Sequence, residues 1–215
     1  MNPFRLIVIT DRALAAPRPL VDVVRAALDA GAPVIQLRDK HATAAELYEE
    51  ATRLLPLVHG SGARLIVNDR LDVALAAHAD GVHLGPDDLP IETARRIAPP
   101  GFIIGCSTDR PERARAAADA GASYIGCGAV FGTRTKAVGD ERIGTGRLTE
   151  VVNAVSLPVV GIGGIDVGNV AQVAATGAAG AAVVGAVMTA ADPGQVVHEL
   201  LAAFDPPGAP RGPRG

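Results

Sequence analysis

The 215-residue sequence predicts an α/β fold, a single (β/α)8 TIM barrel. Short Val- and Ile-rich runs alternate about eight times with helical patterns along the chain. These runs are apolar throughout instead of alternating, as strands of a parallel sheet covered on both faces must be. A 48% hydrophobic content over this length suits one sizeable core, within the usual span of about 100–200 residues per domain. Eight such units close most naturally into a barrel, and a doubly wound open sheet is the main alternative.

In chain order, the first unit pairs a strand at Arg5–Thr10 with a helix at Pro19–Ala30 that ends at Gly31. Further strands are expected near Pro33–Arg38, Arg64–Asn68, Gly81–Leu84, Phe102–Cys106, Ser123–Cys127, Pro158–Ile162 and Ala181–Val184, each followed by a helix. Helix starts are signalled at Asp87-Asp88 and at Thr108-Asp109 before Pro111, where Asp or Thr precedes good helix formers. Ala178–Ala191 is nearly uncharged but shorter than the ~18 apolar residues of a membrane span, so it reads as a buried strand entering a helix. Two segments break the pattern. Gly132–Gly146, rich in Gly, Thr and charge, reads as a mobile active-site loop, and Asp205–Gly215, rich in Pro and Gly, reads as a disordered tail. The catalytic barrel is thus expected over residues 1–204 and the tail over residues 205–215.

Composition narrows the function. A net charge of −3 and 3% aromatic residues argue against nucleic acid, which calls for a basic footprint and stacking platforms. The apolar stretch before Asp11 is too short for a signal-peptide core, so a cytoplasmic protein is expected, with no membrane partner. Cys106 and Cys127 form neither a C-x-x-C pair nor a metal-spaced cluster and read as core packing. Arg supplies 18 of the 20 basic residues, which leaves Lys40 and Lys136 as the two lysines retained. Oligomeric state is not legible, and a homo-oligomer is compatible with the sequence.

In this fold the active site lies at the C-terminal ends of the strands, so polar residues there are the candidates. The second strand ends in Q-L-R-D-K. Alternation puts Gln36, Arg38 and Lys40 on one side, where a guanidinium fork and a compact ammonium suit a diphosphate, although an internal salt-bridge network is the plainer reading. The third strand ends N-D-R at Asn68–Arg70, and the fourth runs H-L-G-P-D-D from His83 to Asp88. Asp69 and Asp88 therefore leave adjacent strands about 4.8 Å apart. Two carboxylates, phosphate oxygens and water make a usual Mg²⁺ arrangement, while a helix N-cap explains each Asp equally well.

His83 reads as a satisfied barrel-interior histidine in preference to a catalytic base, and His41, His59, His78 and His198 lack a site context. Ser107, at the end of G-C-S-T-D, either touches a substrate or caps the next helix. F-G-T-R-T-K places Thr133, Arg134, Thr135 and Lys136 after the sixth strand, where loop hydroxyls, backbone N–H groups and the rare lysine suit a phosphate. G-I-G-G-I at Gly161–Ile165 and V-V-G-A at Val183–Ala186 close strands seven and eight, and the loops after these strands are the recurrent phosphate site of the fold.

Taken in order, Q-L-R-D-K, V-N-D-R, G-V-H-L-G-P-D-D, G-C-S-T-D, F-G-T-R-T-K and G-I-G-G-I resemble the successive motifs of the thiamine phosphate synthase family, from Thr10 to about Met188. The resemblance implies that Gln36–Lys40, with Asn68 and Lys136, holds the diphosphate of a hydroxymethylpyrimidine substrate, Leu37 and Asp39 acting mainly through backbone. It implies that Asp69 and Asp88 hold Mg²⁺ and that Ser107 lies by the pyrimidine. It further implies that Thr133–Thr135, Gly164, Val184 and Gly185 bind a thiazole phosphate. Four positions depart from the family pattern: Pro86 where Gln is often found, Gly132 for Pro, Asp109 for His and Gly185 for Ser. Gly185 could bind phosphate only through its backbone, a loss of about 0.5–1.5 kcal/mol for one neutral hydrogen bond.

The activity implied is transfer of the pyrimidine methylene group from diphosphate to the thiazole nitrogen. Arg38, Lys40, Ser107 and Lys136 would be the catalytic groups, with Mg²⁺ as cofactor. Competing expectations are a thiazole tautomerase of related fold, a Schiff-base aldolase using Lys136, and a silent sensor that binds a phosphorylated ligand and signals through a partner.

Overall fold

The computed structural model describes residues 2–132 and 142–204. Eight parallel strands pair in chain order and the last returns to the first: β1 (Leu6–Ile9), β2 (Val34–Leu37), β3 (Arg64–Asn68), β4 (Gly81–Leu84), β5 (Ile103–Ser107), β6 (Tyr124–Gly128), β7 (Val159–Ile162) and β8 (Gly180–Val183). The barrel alternative is therefore the one realised, and the open sheet is not. Closure is made by Leu6, Ile7 and Val8 in register with Ala181, Ala182 and Val183. Gly180 permits it, because a Cβ there would sit 1.8 Å from the Phe4 carbonyl oxygen.

The strands are apolar throughout because each buries two faces. Phe4, Ile7, Ile9, Val34, Ile66, Tyr124, Val160 and Ala182 fill the barrel, and the intervening residues, such as Val8, Leu37, Val67, Leu84 and Ile104, pack against the helices. Among the described residues the helices are α1 (Arg12–Ala15), α2 (Leu20–Asp29), α3 (Ala44–Gly60), α4 (Leu71–Ala76), α5 (Ile91–Ile97), α6 (Pro111–Asp119), α7 (Gly144–Ala154), α8 (Val170–Ala174), α9 (Gly185–Met188) and α10 (Pro193–Ala202). The longest, α3, starts with a capping box in which Thr43 accepts the Glu46 N–H and Glu46 accepts the Thr43 N–H, satisfying two otherwise orphaned donors. Its Leu47, Ala51, Leu54 and Val58 recur at helical spacing and are buried. No helix among the described residues is long and apolar enough to cross a membrane.

Two expectations are corrected, on the end of one loop and on the helix caps. The segment Gly132–Gly146 is not irregular to its end, since α7 begins at Gly144 despite its Gly-Thr-Gly start, held by buried Leu148 and Val151. Residues 133–141 of that loop, and the tail at 205–215, lie outside the described residues. At the two helix starts signalled by acids, α5 follows Pro90 and α6 follows Arg110, neither with a side-chain cap. Thr108 Oγ1 instead accepts the Arg110 N–H inside the preceding turn.

Candidate active site

The strand pleat carries Gln36, Asn68, His83 and Ser107 on the inward-facing positions of β2 to β5, nearest the C-terminal rim. The exit of β2 is fastened from β1. Thr10 is fully buried, and its hydroxyl accepts the Arg38 N–H at 2.9 Å and donates to the Arg38 carbonyl at 3.2 Å. Asp11 caps α1 through the Leu14 N–H and turns its other oxygen to within 3.9 Å of the Arg38 guanidinium. Leu37 packs into the helix-facing core, so only its backbone is offered at the rim. Asp39 turns away, accepting the His41 N–H at 3.0 Å and lying 3.7 Å from Arg12. Lys40 crosses to β3 and pairs with Asp69.

Asp69 follows Asn68 with a left-handed φ of 65°, and its N–H bonds to the His83 carbonyl at 2.8 Å. Asp88 Oδ2 accepts the Gly85 N–H at 2.7 Å, so its carboxylate closes the β4 exit loop instead of capping α5. Burial, followed by the neighbouring charge of Asp69, holds the Asp88 carboxyl above the usual carboxylate range, against the opposing pull of the Gly85 N–H and Lys40. Asp69 and Asp88 thus interact, and Lys40 is paired with Asp69, an arrangement that favours a further positive charge. Among the described residues no three His, Cys, Asp or Glu side chains converge as a metal-binding group. Any cation here would take two carboxylates and draw its other ligands from water and substrate, as Mg²⁺ commonly does.

Beneath the rim lies a polar layer. His83 on β4 is buried, with Nδ1 2.8 Å from the Tyr124 hydroxyl and Nε2 2.8 Å from Ser107 Oγ. The amide nitrogen of Gln36, on β2, makes a long 3.5 Å bond to the same Tyr124 oxygen. Space for these side chains is left by glycine. His83, Gly105 and Tyr124 are successive register partners across β4, β5 and β6, and a Cβ on Gly105 would lie 2.4 Å from both His83 Nδ1 and Tyr124 Cζ. Burial pushes the Tyr124 phenol well up, so it stays protonated. Ser107 does not cap α6, because its hydroxyl is engaged by His83.

Of the residues expected on the far side of the rim, Thr133, Arg134, Thr135 and Lys136 lie outside the described residues. Gly164, at φ 65°, packs so closely on the β6 exit that a Cβ would lie 2.3 Å from the Gly132 carbonyl. Val184 precedes α9 as its N-cap and Gly185 is its first residue, with open space where a side chain would project. Cys106 and Cys127 are raised by burial, Cys127 to about 12, which suits packing and not nucleophilic chemistry. The sequence reading passed over Thr10, Asp11 and Tyr124. The first two carried a usable signal, since T-D after β1 is an exit of the same kind as N-D-R after β3. Tyr124 had none, because only the register of β4, β5 and β6, with Gly105 between the two rings, sets it against His83.

A closed parallel barrel whose strand exits carry Lys40, Asn68, Asp69, Asp88 and Ser107 has the architecture of a (β/α)8 enzyme, whose active site lies at that end. A family model described as thiamine monophosphate synthase matches residues 6–187. The chain is 50% identical over 195 residues to a thiamine-phosphate synthase of Roseiflexus sp. (strain RS-1), covering 91% of this chain and 83% of that one. It is 51% identical over 197 residues to a thiamine-phosphate synthase of Pyrococcus abyssi, covering 91% and 92%. A solved thiamine phosphate pyrophosphorylase from Pyrococcus furiosus superposes with a TM-score of 0.86 at 45% identity, over 94% of this chain and 96% of that one. The chain belongs to the thiamine monophosphate synthase family.

Proposed function

We propose that this transferase joins 4-amino-2-methyl-5-(diphosphooxymethyl)pyrimidine to 4-methyl-5-(2-phosphooxyethyl)thiazole, giving thiamine phosphate and diphosphate. The observation that carries this reading is the meeting of Lys40, Asp69 and Asp88 at adjacent strand exits in a chain about half identical to thiamine-phosphate synthases. The bond from the pyrimidine methylene carbon to the diphosphate oxygen breaks, and one from that carbon to the thiazole nitrogen forms. The aminopyrimidine ring stabilises positive charge on its methylene, so no protein nucleophile is needed.

Arg38, Lys40 and Lys136 neutralise the charge that grows on the departing diphosphate, and Gln36, Asn68 and the backbone of Leu37 and Asp39 orient it. Fixing Arg38 through Thr10 and Asp11 holds the guanidinium before substrate arrives, the condition under which such charges are most effective. Ser107 faces the pyrimidine. Thr133, Arg134, Thr135, Gly164, Val184 and Gly185 receive the thiazole phosphate. Asp69 and Asp88 would hold Mg²⁺, which when bound supplies positive charge beside the diphosphate. A cytoplasmic setting goes with this reading, because phosphate esters do not cross an apolar bilayer unaided.

Purified protein, both substrates and Mg²⁺ should yield thiamine phosphate, and a chelator should abolish it. Asp69→Ala and Lys136→Ala should each lose about 10²–10³ in rate. Full turnover in either variant would remove that residue from the site. No product from the wild-type protein, together with thiazole isomerisation, would move the assignment to the tautomerase.

A further inference from the structure

The hydrogen-bond chain Gln36–Tyr124–His83–Ser107 runs from β2 through the barrel interior to the β5 exit, and one assignment of donors and acceptors satisfies all three of its contacts. The Gln36 amide N–H points at the Tyr124 oxygen. The phenol has one proton, and the ring is fully buried between Phe4, stacked at 4.7 Å between centroids, and His83. Two arrangements satisfy the 2.8 Å contact with His83 Nδ1. If Nδ1–H donates to the phenol, the phenol proton loses its acceptor at this contact, and an unpaired buried donor costs more than the bond returns. If the phenol donates to Nδ1, the amide, phenol and imidazole are all satisfied. The imidazole then accepts at Nδ1 and carries a proton on Nε2, which donates to Ser107 Oγ at 2.8 Å. The Ser107 oxygen is occupied as an acceptor, and its own proton is left to donate at the rim.

We infer that this chain is a positioning relay: Tyr124 and His83 fix Ser107 as a hydrogen-bond donor toward an acceptor on the pyrimidine diphosphate. Glycine at 105 and 126 is what admits the relay, since a Cβ at Gly105 would overlap both rings and one at Gly126 would lie 3.0 Å from His83 Cε1. Neither His83 nor Tyr124 touches substrate in this scheme. Their influence passes through a single hydroxyl, so the consequence is specific: the contribution of Tyr124 to rate disappears once Ser107 is gone.

The inference rests on the synthase reading, and its test separates the two. The ring nitrogens of His83 in the ¹⁵N-labelled full chain should show the Nε2–H tautomer without any substrate present, with His83→Gln used to assign the signal. The Nδ1–H tautomer would overturn the relay even if the protein makes thiamine phosphate. Turnover is then compared for wild type, Tyr124→Phe, Ser107→Ala and the double variant. Tyr124→Phe keeps the ring and its stacking, and it should lower kcat about fivefold, the rate equivalent of one neutral hydrogen bond, with KM for either substrate little changed. The double variant should match Ser107→Ala. Multiplying of the two losses would show that Tyr124 acts independently of Ser107 and would overturn the proposal. A wild-type protein with the Nε2–H tautomer but no turnover would instead overturn the synthase reading.

Discussion

Replacing Gly105 by alanine tests the packing beneath the rim with one methyl group. Its Cβ would lie 2.4 Å from His83 Nδ1, 2.4 Å from Tyr124 Cζ and 2.5 Å from Tyr124 Cε1, where ordinary contact begins at 3.4 Å. Both rings must therefore retreat by about 1 Å, a distance that interior packing does not supply without strain. Tyr124 is backed by Phe4, and His83 is tethered at both nitrogens. Overpacking of this kind costs about 1–3 kcal/mol, and a shift of 1 Å breaks a 2.8 Å hydrogen bond. Urea unfolding should show a loss in that range, and kcat should fall at least as far as in Tyr124→Phe. Gly60→Ala is the control: it sits at the end of α3 with nothing within 4 Å of the added Cβ, so stability should stay level or rise by up to about 1 kcal/mol. Wild-type stability and turnover in Gly105→Ala would refute the packing described for His83 and Tyr124.

Gly185→Ser projects a hydroxyl into open space at the first residue of α9. Steady-state kinetics should show KM for the thiazole phosphate lowered about twofold to tenfold, the worth of one neutral hydrogen bond, with kcat unchanged. Asp80 is a structural acid away from the rim. Burial works to raise its carboxyl, yet the Leu65 N–H, His59 and Arg64 together hold it below the usual range. A depressed carboxyl contributes stability that is present above the unfolded value of about 3.9 and lost as pH falls through the folded value. Urea midpoints followed downward from pH 5 should therefore decline less steeply in Asp80→Asn than in wild type.

The fold was legible because barrel strands are apolar on both faces. Arg64–Asn68 and Gly81–Leu84 are read correctly to the residue, each bounded by polar or glycine positions. The start of α7 was not legible, since Gly144-Thr145-Gly146 has poor helix propensity and is carried by tertiary burial of Leu148 and Val151. At the rim, one-residue alternation was enough to separate Gln36, inside the barrel, from Leu37, packed against the helices. The role of Asp88 was open, because an acid before a helix looks like a cap until the loop that it closes is seen. His83 was rightly assigned to the barrel interior. What it does there depends on Tyr124, 41 residues away, and no local pattern connects them.

Closure of β1 against both β2 and β8 also governs how the chain meets the cell while it is being made. The outer ladder of β1 has no partner until residue 183 has left the ribosome. At about 5–20 residues per second, that wait lasts roughly 10–35 s. A sheet assembled in chain order would carry two unpaired apolar edges over this period, one fixed at β1 and one advancing with each new strand. Such edges are templates for pairing with other chains. Synthesis order thus leaves the closing edge of β1 unpaired longest.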